Sequence, residues 1–340
     1  MGTNTKDRRR ERVDRGIKVR TEGVYAISSW TEMSYLIVPR LVFIVGLLIL
    51  PLLFYHTPYW QRVVSIMCIY ALLAIGFDYL ANFVGLVSLG GGFYVGVGAY
   101  VAALLNTKLG WPPAVTIPLA TVLGAGLCTL LFFPCLPLRG VYFAIVSLMF
   151  PLLAARVIEA LDVFGGTDGI LGVEGLPNKW VEQYLLIASV LIIVFALRRL
   201  KDEDVGLVFR GVKDNDQAVK ASAINITTYK AVAVYIASAL GCLGGACLAH
   251  LYMWAGISQF ALDFSIIPIA ATIVGGSGTL IGPVLGCMIL VPISEILRDF
   301  GTLRIAVYAV ILTAFIVLKS EGLMVYATRK YEQFERWVEI

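Results

Sequence analysis

The stretch that decides the fold class is VVSIMCIYALLAIGFDYLANFVGLVSLGGGFYVGVGAY, residues 63–100, in which Asp78 is the one charged residue. A helix needs about 20 predominantly apolar residues to cross the hydrocarbon core of a bilayer. Lipid offers backbone amides no water, so apolar runs of this length predict membrane-spanning helices. Strands of a membrane β-barrel would instead alternate apolar and polar residues.

The composition of the whole chain points the same way. Hydrophobic residues make up 59% of it, charged residues 15%, and the mean hydropathy is +0.84. A soluble domain keeps roughly a quarter of its residues charged. The charges here are confined to blocks between long apolar runs. We therefore predict an all-α polytopic membrane protein and exclude a soluble globular one.

Ten apolar runs are long enough to be counted as spans, and two regions among them are interrupted by glycine. The runs are 36–55, 63–82, 90–109, 114–133, 141–161, 183–199, 231–253, 264–275, 280–297 and 304–318. Regions 63–109 and 264–297 each contain a glycine cluster. They are read either as paired spans or as broken, re-entrant helices. About ten transmembrane helices, some broken at Gly-rich segments, is the preferred prediction.

Charge asymmetry predicts the orientation of the spans. Residues 198–230 carry seven Lys or Arg, whereas residues 162–182 carry Lys179 against four acidic residues. The positive-inside rule places the basic segment in the cytoplasm and the acidic loop outside. An even number of spans then separates the N-terminal tail from loop 198–230, and six satisfies this. Both termini are predicted to be cytoplasmic.

This topology divides the chain into three parts. Residues 1–34 form a basic cytoplasmic tail, 35–320 the transmembrane permease domain with a cytoplasmic coupling loop at 200–230, and 321–340 a second cytoplasmic tail. The basic tail lacks the closely following apolar segment of a cleavable signal. It is interpreted as a disordered tail, with binding to anionic lipid headgroups as the alternative.

The two glycine clusters, residues 85–100 and 275–286, are the first candidates for function. Small residues four apart let membrane helices approach closely, which is a purely structural explanation. The functional explanation is that glycine breaks a helix where backbone lines a transport cavity. Neither cluster is a nucleotide site, because a P-loop needs Gly-Lys-Ser/Thr and no Lys follows these glycines. If ATP drives this protein, another polypeptide binds it.

Loop 198–230 is the second candidate. Its apolar residues Val208, Val212, Val219, Ala223 and Ile226 are spaced to share one face of a helix. The sequence thus predicts a single amphipathic helix. Such a helix lies in the membrane interface or docks in a partner's groove.

Ionisable residues within the spans are few: Asp78, Arg156, Glu159 and His250. Arg156 and Glu159 have the spacing of an i, i+3 ion pair at a span end. Asp78 is deeper, and either pairs with a neighbouring helix or contacts substrate. No catalytic cluster is visible, so the sequence does not favour an intramembrane enzyme. The six cysteines form no CxxC pair and are expected to be small core residues.

Five stretches together resemble the LivM family, one of the two permease types of branched-chain amino acid ABC importers. They occur in the family's order and cover about residues 70–290. They are Ala74–Asp78 with Gly85–Gly90 and Gly96–Tyr100, then Arg139–Ala144, then Gly165–Ile170, then Lys213–Ala218 with Ile224–Asn225, and last Gly275–Gly286. Three positions depart from the family. Gly91 stands where His or Gln is usual, Ala223 stands for Gly, and a glutamate is missing at Ile267 or Pro268.

The resemblance implies a permease subunit of an ATP-driven ABC importer in a bacterial or archaeal cell (inner) membrane. Its cargo would be branched-chain or other hydrophobic amino acids delivered by an extracytoplasmic solute-binding protein. The missing polar residues leave urea, short amides or aromatic acids as alternatives. The other implied partners are a second, LivH-type permease and two ATP-binding subunits that carry ATP and Mg, besides membrane lipid. No cofactor of its own, no metal and no nucleic acid is implied.

The resemblance and the glycine pattern also give candidate site residues. The ATPase-coupling candidates are Arg210, Val212, Lys213, Asp214, Asn215, Ala218, Val219, Ala223 and Asn225. The candidates for the translocation path are Asp78, Ser88, Gly90, Gly91, Gly92, Gly275, Gly276 and Gly278. The competing class is a stand-alone secondary transporter, which predicts intramembrane carboxylates or cation sites at broken helices. This chain is poor in both.

Overall fold

The computed structural model describes residues 30–138, 140–297, 309–310, 313 and 322–324, with side chains described from residue 41 onward. Contacts divide the chain into two compact units, Met1–Gly46 and Leu47–Ile340. The functional residues considered below all belong to the second unit.

The described residues form eleven α-helices. In chain order these are α1 (Trp30–Leu53), α2 (Pro58–Asp78), α3 (Gly91–Leu109), α4 (Pro113–Phe132), α5 (Val141–Leu161), α6 (Lys179–Asp202), α7 (Asp204–Asp214), α8 (Asp216–Ala221), α9 (Ile226–Tyr252), α10 (Asp263–Gly275) and α11 (Gly282–Ile296). Nine of the ten predicted apolar runs lie on these helices. The tenth, 304–318, lies almost entirely outside the described residues.

Six helical segments of the described chain are long and apolar enough to cross a membrane. They are Pro58–Val84, Pro113–Cys135, Val141–Leu161, Lys179–Asp202, Ile226–Tyr252 and Ile257–Gly275, and two shorter apolar helices are Leu41–Leu53 and Gly282–Ile296. The architecture is therefore helical and multi-pass, as predicted. A total of ten spans stays a prediction, as does the side of the membrane on which the termini lie.

The core of the second unit is built on α9, which packs against α2, α3 and α4. Its backbone touches that of α3 directly. A Cβ added at Gly98 would meet the backbone of Cys242, and one at Gly245 would meet the backbone of Val95. Small residues at such crossings allow close helix packing where lipid supplies no hydrophobic force between helices.

A small antiparallel pairing marks one end of this unit. Strand β1 (Ile170–Leu171) pairs with β2 (Trp254–Ala255), with Ile170 opposite Ala255. Helix α9 runs from α8 to β2 over 27 residues, or about 40 Å at 1.5 Å per residue. The molecule thus has an α7–α8 end and a β1–β2 end.

Helix α2 does not stop at Asp78 but continues as a π-helical turn, Tyr79–Val84. The turn ends at Gly85, whose φ of 80° is in the left-handed region that favours glycine. Residues 85–90 are then non-helical until α3 begins. A π-helical turn is rare and occurs frequently at functional sites.

Candidate coupling surface and translocation site

The polar loop at the α7–α8 end forms two short helices, so the prediction of one amphipathic helix over 208–226 is wrong. The chain turns at Asn215, whose backbone is extended and whose side chain accepts hydrogen bonds from the amides of Gln217 and Ala218. A capped N-terminus of this kind satisfies orphan donors of the new helix. The cap at Asn215 therefore starts α8 as a separate helix.

Most of the predicted apolar stripe is turned towards the protein rather than towards solvent. Val212 and Ile226 are buried, Val208 and Val219 are half-buried, and Ala223 is exposed. Ala223 also has a positive φ of 60° and lies outside both helices. The predicted stripe consequently does not remain free for a partner. The outward surface carries Leu207, 69% exposed, and the exposed residues Arg210, Asp214, Asn215, Gln217 and Ala218.

Aromatic packing fixes α7 to two neighbouring elements. The buried ring of Phe209 lies 5.8 Å from the ring of Tyr79 on the π-helical turn and 6.1 Å from that of Tyr229 on α9, both edge-on. Lys201, near the end of α6, places its Nζ 4.9 Å from the ring centre of Phe83. The two contacts of Phe209 join α7 to the π-helical turn and to α9, and the Lys201 contact joins the end of α6 to the same turn.

Two lysines complete this attachment. Lys213 donates from Nζ to the backbone oxygen of Asn82 at 2.8 Å. Lys230, at the start of α9, forms a 3.1 Å ion pair with Asp216 of α8, and these side chains are 6% and 8% exposed. Removing one partner of a buried ion pair strongly destabilises the folded protein, because the charge of the other partner stays buried.

The second glycine cluster meets the π-helical turn at Asp78. The Asp78 side chain is fully buried. Its Oδ1 accepts a 2.7 Å hydrogen bond from Asn82 Nδ2 and another, also 2.7 Å, from the amide of Gly278. Residues 78–84 thus contact α7 on one side and the non-helical segment 276–281 on the other. Asp78 therefore pairs with a neighbouring segment, as one of its two hypotheses predicts, and its contact with substrate stays a prediction.

Gly91 and Gly92 of the first glycine cluster are packed closely against backbone. A Cβ at Gly91 would come within 2.5 Å of the Phe264 oxygen, and one at Gly92 within 2.7 Å of the Ala261 oxygen. The amide of Gly92 donates to Ser265 Oγ at 3.0 Å. The start of α3 is therefore held directly against the start of α10.

The remaining predicted path residues lie around these two junctions. Ser88 Oγ is 3.1 Å from the hydroxyl of Tyr94 and accepts from the amide of Gly90 at 3.3 Å. Gly275 packs against the backbone of Gly282, and Gly276 has a φ of 114°. The structure brings Asp78 together with Gly278, and groups Ser88, Gly90, Gly91 and Gly92 at the start of α3.

The other ionisable residues singled out in the sequence have structural partners. Arg156 and Glu159 form the predicted i, i+3 ion pair at 2.7 Å. The ring nitrogens of His250 lie 2.8 Å from Thr116 Oγ1 and 2.6 Å from the Glu174 backbone oxygen. All six cysteines are free, and five are buried.

Sequence reasoning missed a polar cleft at the β1–β2 end. Its lining includes Gln61, Ser65, Glu182 and Gln183, and its volume is about 580 Å³. Glu182 was counted as part of an acidic outer loop, but it lies buried in the first turn of α6. The sequence carried a signal for this cleft in the adjacent residues Glu182 and Gln183, which lie just inside the start of a helix. Asn178 caps that helix, and its side chain accepts a hydrogen bond from the amide of Trp180.

Comparison with known proteins assigns the chain to a family. Residues 59–319 match the family described as branched-chain amino acid transport system / permease component. The chain belongs to this family. It is accordingly a multi-pass membrane protein of the permease class. The matched range contains both glycine clusters, α7 and α8, and the residues that line the cleft except Pro58.

Individual relatives are similar over most of the chain. The high-affinity branched-chain amino acid transport system permease protein LivM of Salmonella typhimurium is 26% identical over 288 residues, covering 75% of this chain and 68% of the relative. The protein of the same name from Escherichia coli is 25% identical over 294 residues, covering 77% and 69%. A probable LivM permease of Methanocaldococcus jannaschii is 25% identical over 223 residues, covering 60% and 64%. No solved structure matches the chain.

Proposed function

We propose that this permease is the membrane-spanning subunit of an ATP-driven ABC importer for branched-chain or other hydrophobic amino acids. The family assignment and the names of its relatives support the cargo class. Urea, short amides or aromatic acids are the alternative cargoes. The protein resides in a bacterial or archaeal cell (inner) membrane, with about ten spans and both termini in the cytoplasm.

In this proposal the chain carries out transport without its own ATP chemistry. Its sequence has no Gly-Lys-Ser/Thr motif to hold phosphate and magnesium. Two partner ATP-binding subunits supply hydrolysis, and a LivH-type permease forms the other wall of the path. A solute-binding protein delivers the cargo at the β1–β2 end.

The observation that carries the proposal is the two-sided character of α7 and α8. Their inner side is fixed to the π-helical turn and to α9 by Phe209, Lys213 and the Asp216–Lys230 pair. Their outer side exposes Leu207 and Ala218 at the surface of the molecule. An ATPase that binds the outer side moves a unit already joined to the ends of the spans.

The contacts also define which part of the membrane domain a displacement of α7 would reach. Lys213 holds Asn82, Asn82 donates to Asp78, and Asp78 accepts from the amide of Gly278. A displacement of α7 is therefore transmitted to the non-helical segment between α10 and α11. ATP binding by the partners shifts the population between outward- and inward-facing arrangements.

The coupling surface is tested with Leu207→Glu and Ala218→Glu. A carboxylate placed in a docked interface is desolvated without a partner, which is unfavourable. We expect at least about tenfold less ATPase to co-purify with each variant, since roughly 1.4 kcal/mol of lost binding corresponds to a factor of ten. Insertion in the membrane is expected to be normal, because both side chains are exposed.

Leu171→Glu is the matched control. Leu171 is 70% exposed at the β1–β2 end, so this variant carries the same new charge away from the coupling surface and keeps its ATPase. Wild-type amounts of ATPase with Leu207→Glu and Ala218→Glu would show that the coupling surface is wrongly assigned. A wild-type protein that purifies without any ATPase and still transports would favour the stand-alone secondary transporter.

A further inference from the structure

The polar cleft at the β1–β2 end contains two buried acceptors on adjacent residues. It lies between the start of α2, the start of α6 and the end of α9, and Glu295 of α11 also lines it. Glu182 and Gln183 line it from α6, and their side chains are 8% and 3% exposed. The cleft volume of about 580 Å³ is within the range of roughly 300–1,000 Å³ found for small-molecule sites.

Gln183 has a hydrogen-bonding capacity that the described chain does not use. Its Nε2 donates to the backbone oxygen of Gln61 at 2.9 Å. Its Oε1 is buried and has no hydrogen-bond partner among the described residues. Buried polar side-chain atoms are satisfied in the large majority of cases, so an orphan acceptor on a cleft-lining residue points to a donor beyond the described residues, and a ligand in the cleft can supply it.

Glu182 adds a carboxylate to the same cleft. Ser65, Arg62 and Lys179 are its neighbours in the lining. Neither cation forms an ion pair with it, since the ion pairs found in the described part of the chain involve other residues. The N-terminus of α6 favours a negative charge in its first turn, but this effect is small beside the desolvation of a buried carboxylate.

We propose that this cleft is an acceptor site for the protonated amino group of a small ligand, with Glu182 and Gln183 Oε1 as its partners. The exposed guanidinium of Arg62 also lines the cleft, and it supplies a partner for a carboxylate at the other end of the ligand. Free amino acids carry both groups. The ligand class is thus a zwitterionic amino acid, which rests on the proposed function and narrows its cargo against urea and neutral amides.

The site is tested by protection of a cysteine placed in the cleft. Met253→Cys is suitable because Met253 lines the cleft and is 56% exposed. Labelling by a membrane-impermeant thiol reagent is measured on the complete importer in membranes. The probes are leucine, its decarboxylated analogue 3-methylbutylamine and its des-amino analogue 4-methylpentanoate. Leucine and the amine are expected to slow the labelling at millimolar concentration, and the des-amino acid is not.

Three further variants test whether protection of the cysteine depends on Glu182. Glu182→Gln is nearly isosteric and should weaken protection by leucine at least about tenfold, because it loses a charge-assisted hydrogen bond. Glu182→Asp keeps the charge and should retain most of the protection. Glu159→Gln removes an exposed carboxylate from α5, at the same end of the molecule, and should leave protection unchanged.

Two outcomes would overturn the site: equal protection by leucine and 4-methylpentanoate, or undiminished protection in Glu182→Gln. Absence of protection by both ammonium compounds would overturn it as well. ATP-dependent uptake of leucine, measured on the same wild-type preparation, separates this from the proposed function. Uptake of leucine without protection of the cysteine would contradict the proposed site alone. Protection without ATP-dependent uptake would contradict the importer proposal and leave the proposed site standing.

Discussion

Glycine serves two different purposes at Gly91 and Gly278, although both lie in glycine clusters. At Gly91 the constraint is space, because a Cβ would lie 2.5 Å from a backbone oxygen of Phe264. At Gly278 the constraint is the backbone itself. Its φ is 80°, while the nearest atom to an added Cβ is Asn82 Cβ at 4.0 Å. Substitution should therefore affect the two residues unequally.

We predict that Gly91→Ala lowers the unfolding free energy by about 1–3 kcal/mol, as overpacking does in tight cores, and reduces uptake strongly. Gly278→Ala has room and should lose only about 1–2 kcal/mol, from the left-handed backbone. Gly126 in α4 has no atom within 4 Å of an added Cβ and an ordinary φ. Gly126→Ala should leave stability equal or raise it by about 0.5–1 kcal/mol.

Thermal unfolding of the purified protein and uptake in vesicles check this order. A larger loss at Gly278 than at Gly91 would contradict the distinction between space and backbone conformation. A destabilised Gly126→Ala would show that helix α4 has a close neighbour on that face.

At the scale of the element, α7 and α8 are short helices that tertiary contacts hold in place. An isolated helix below about 12–15 residues is marginal in water, and α7 has 11 residues and α8 has 6. The Asp216–Lys230 ion pair joins α8 to the first turns of α9. We therefore expect this ion pair to hold α8 in its position.

We expect Lys230→Met to destabilise the protein by about 3–5 kcal/mol, because the buried ion pair between Lys230 and Asp216 is then broken. The double variant Lys230→Met with Asp216→Leu should lose clearly less than the single one. The exposed pair Arg156–Glu159 gives the control, and Glu159→Gln should change stability by no more than about 1 kcal/mol. A double-mutant cycle of unfolding measurements quantifies the coupling. Additive effects of the two substitutions would show that the pair does not matter to α8.

At the scale of the molecule, the α7–α8 end and the β1–β2 end differ in charge. Residues 198–230 are basic and residues 162–182 are acidic, which predicts the first in the cytoplasm and the second outside. The structure separates the two segments by the length of α9. It offers a matched pair of reporters, because Leu207 and Leu171 are 69% and 70% exposed.

Leu171→Cys is predicted to react with an impermeant thiol reagent in intact cells, and Leu207→Cys only after permeabilisation. The unsubstituted protein is the blank, since five of its six cysteines are buried and Cys135 is partly buried. Labelling of Leu207→Cys in intact cells, with Leu171→Cys protected, would invert the topology. It would also place the proposed amino-group site on the cytoplasmic side.

The sequence by itself determined where most of the helices lie. Runs such as 141–161 coincide with a helix because hydrophobic length and helical hydrogen bonding are local properties of the chain. The Arg156–Glu159 pair was visible for the same reason, since its partners are one helical turn apart. The bend at Asn215 was also encoded locally, by a capping residue between two aspartates. The helical spacing of valines across that position concealed it.

Only the tertiary structure decided which distant residues meet. Asp78 and Gly278 are 200 residues apart, and no periodicity in the sequence relates them. Burial of Glu182 likewise depends on α2 and α9 packing beside the start of α6. A side chain's neighbours across helix interfaces depend on how every helix is rotated and displaced. Those quantities are fixed by the packing of the whole unit, so they cannot be read from the pattern of any single segment.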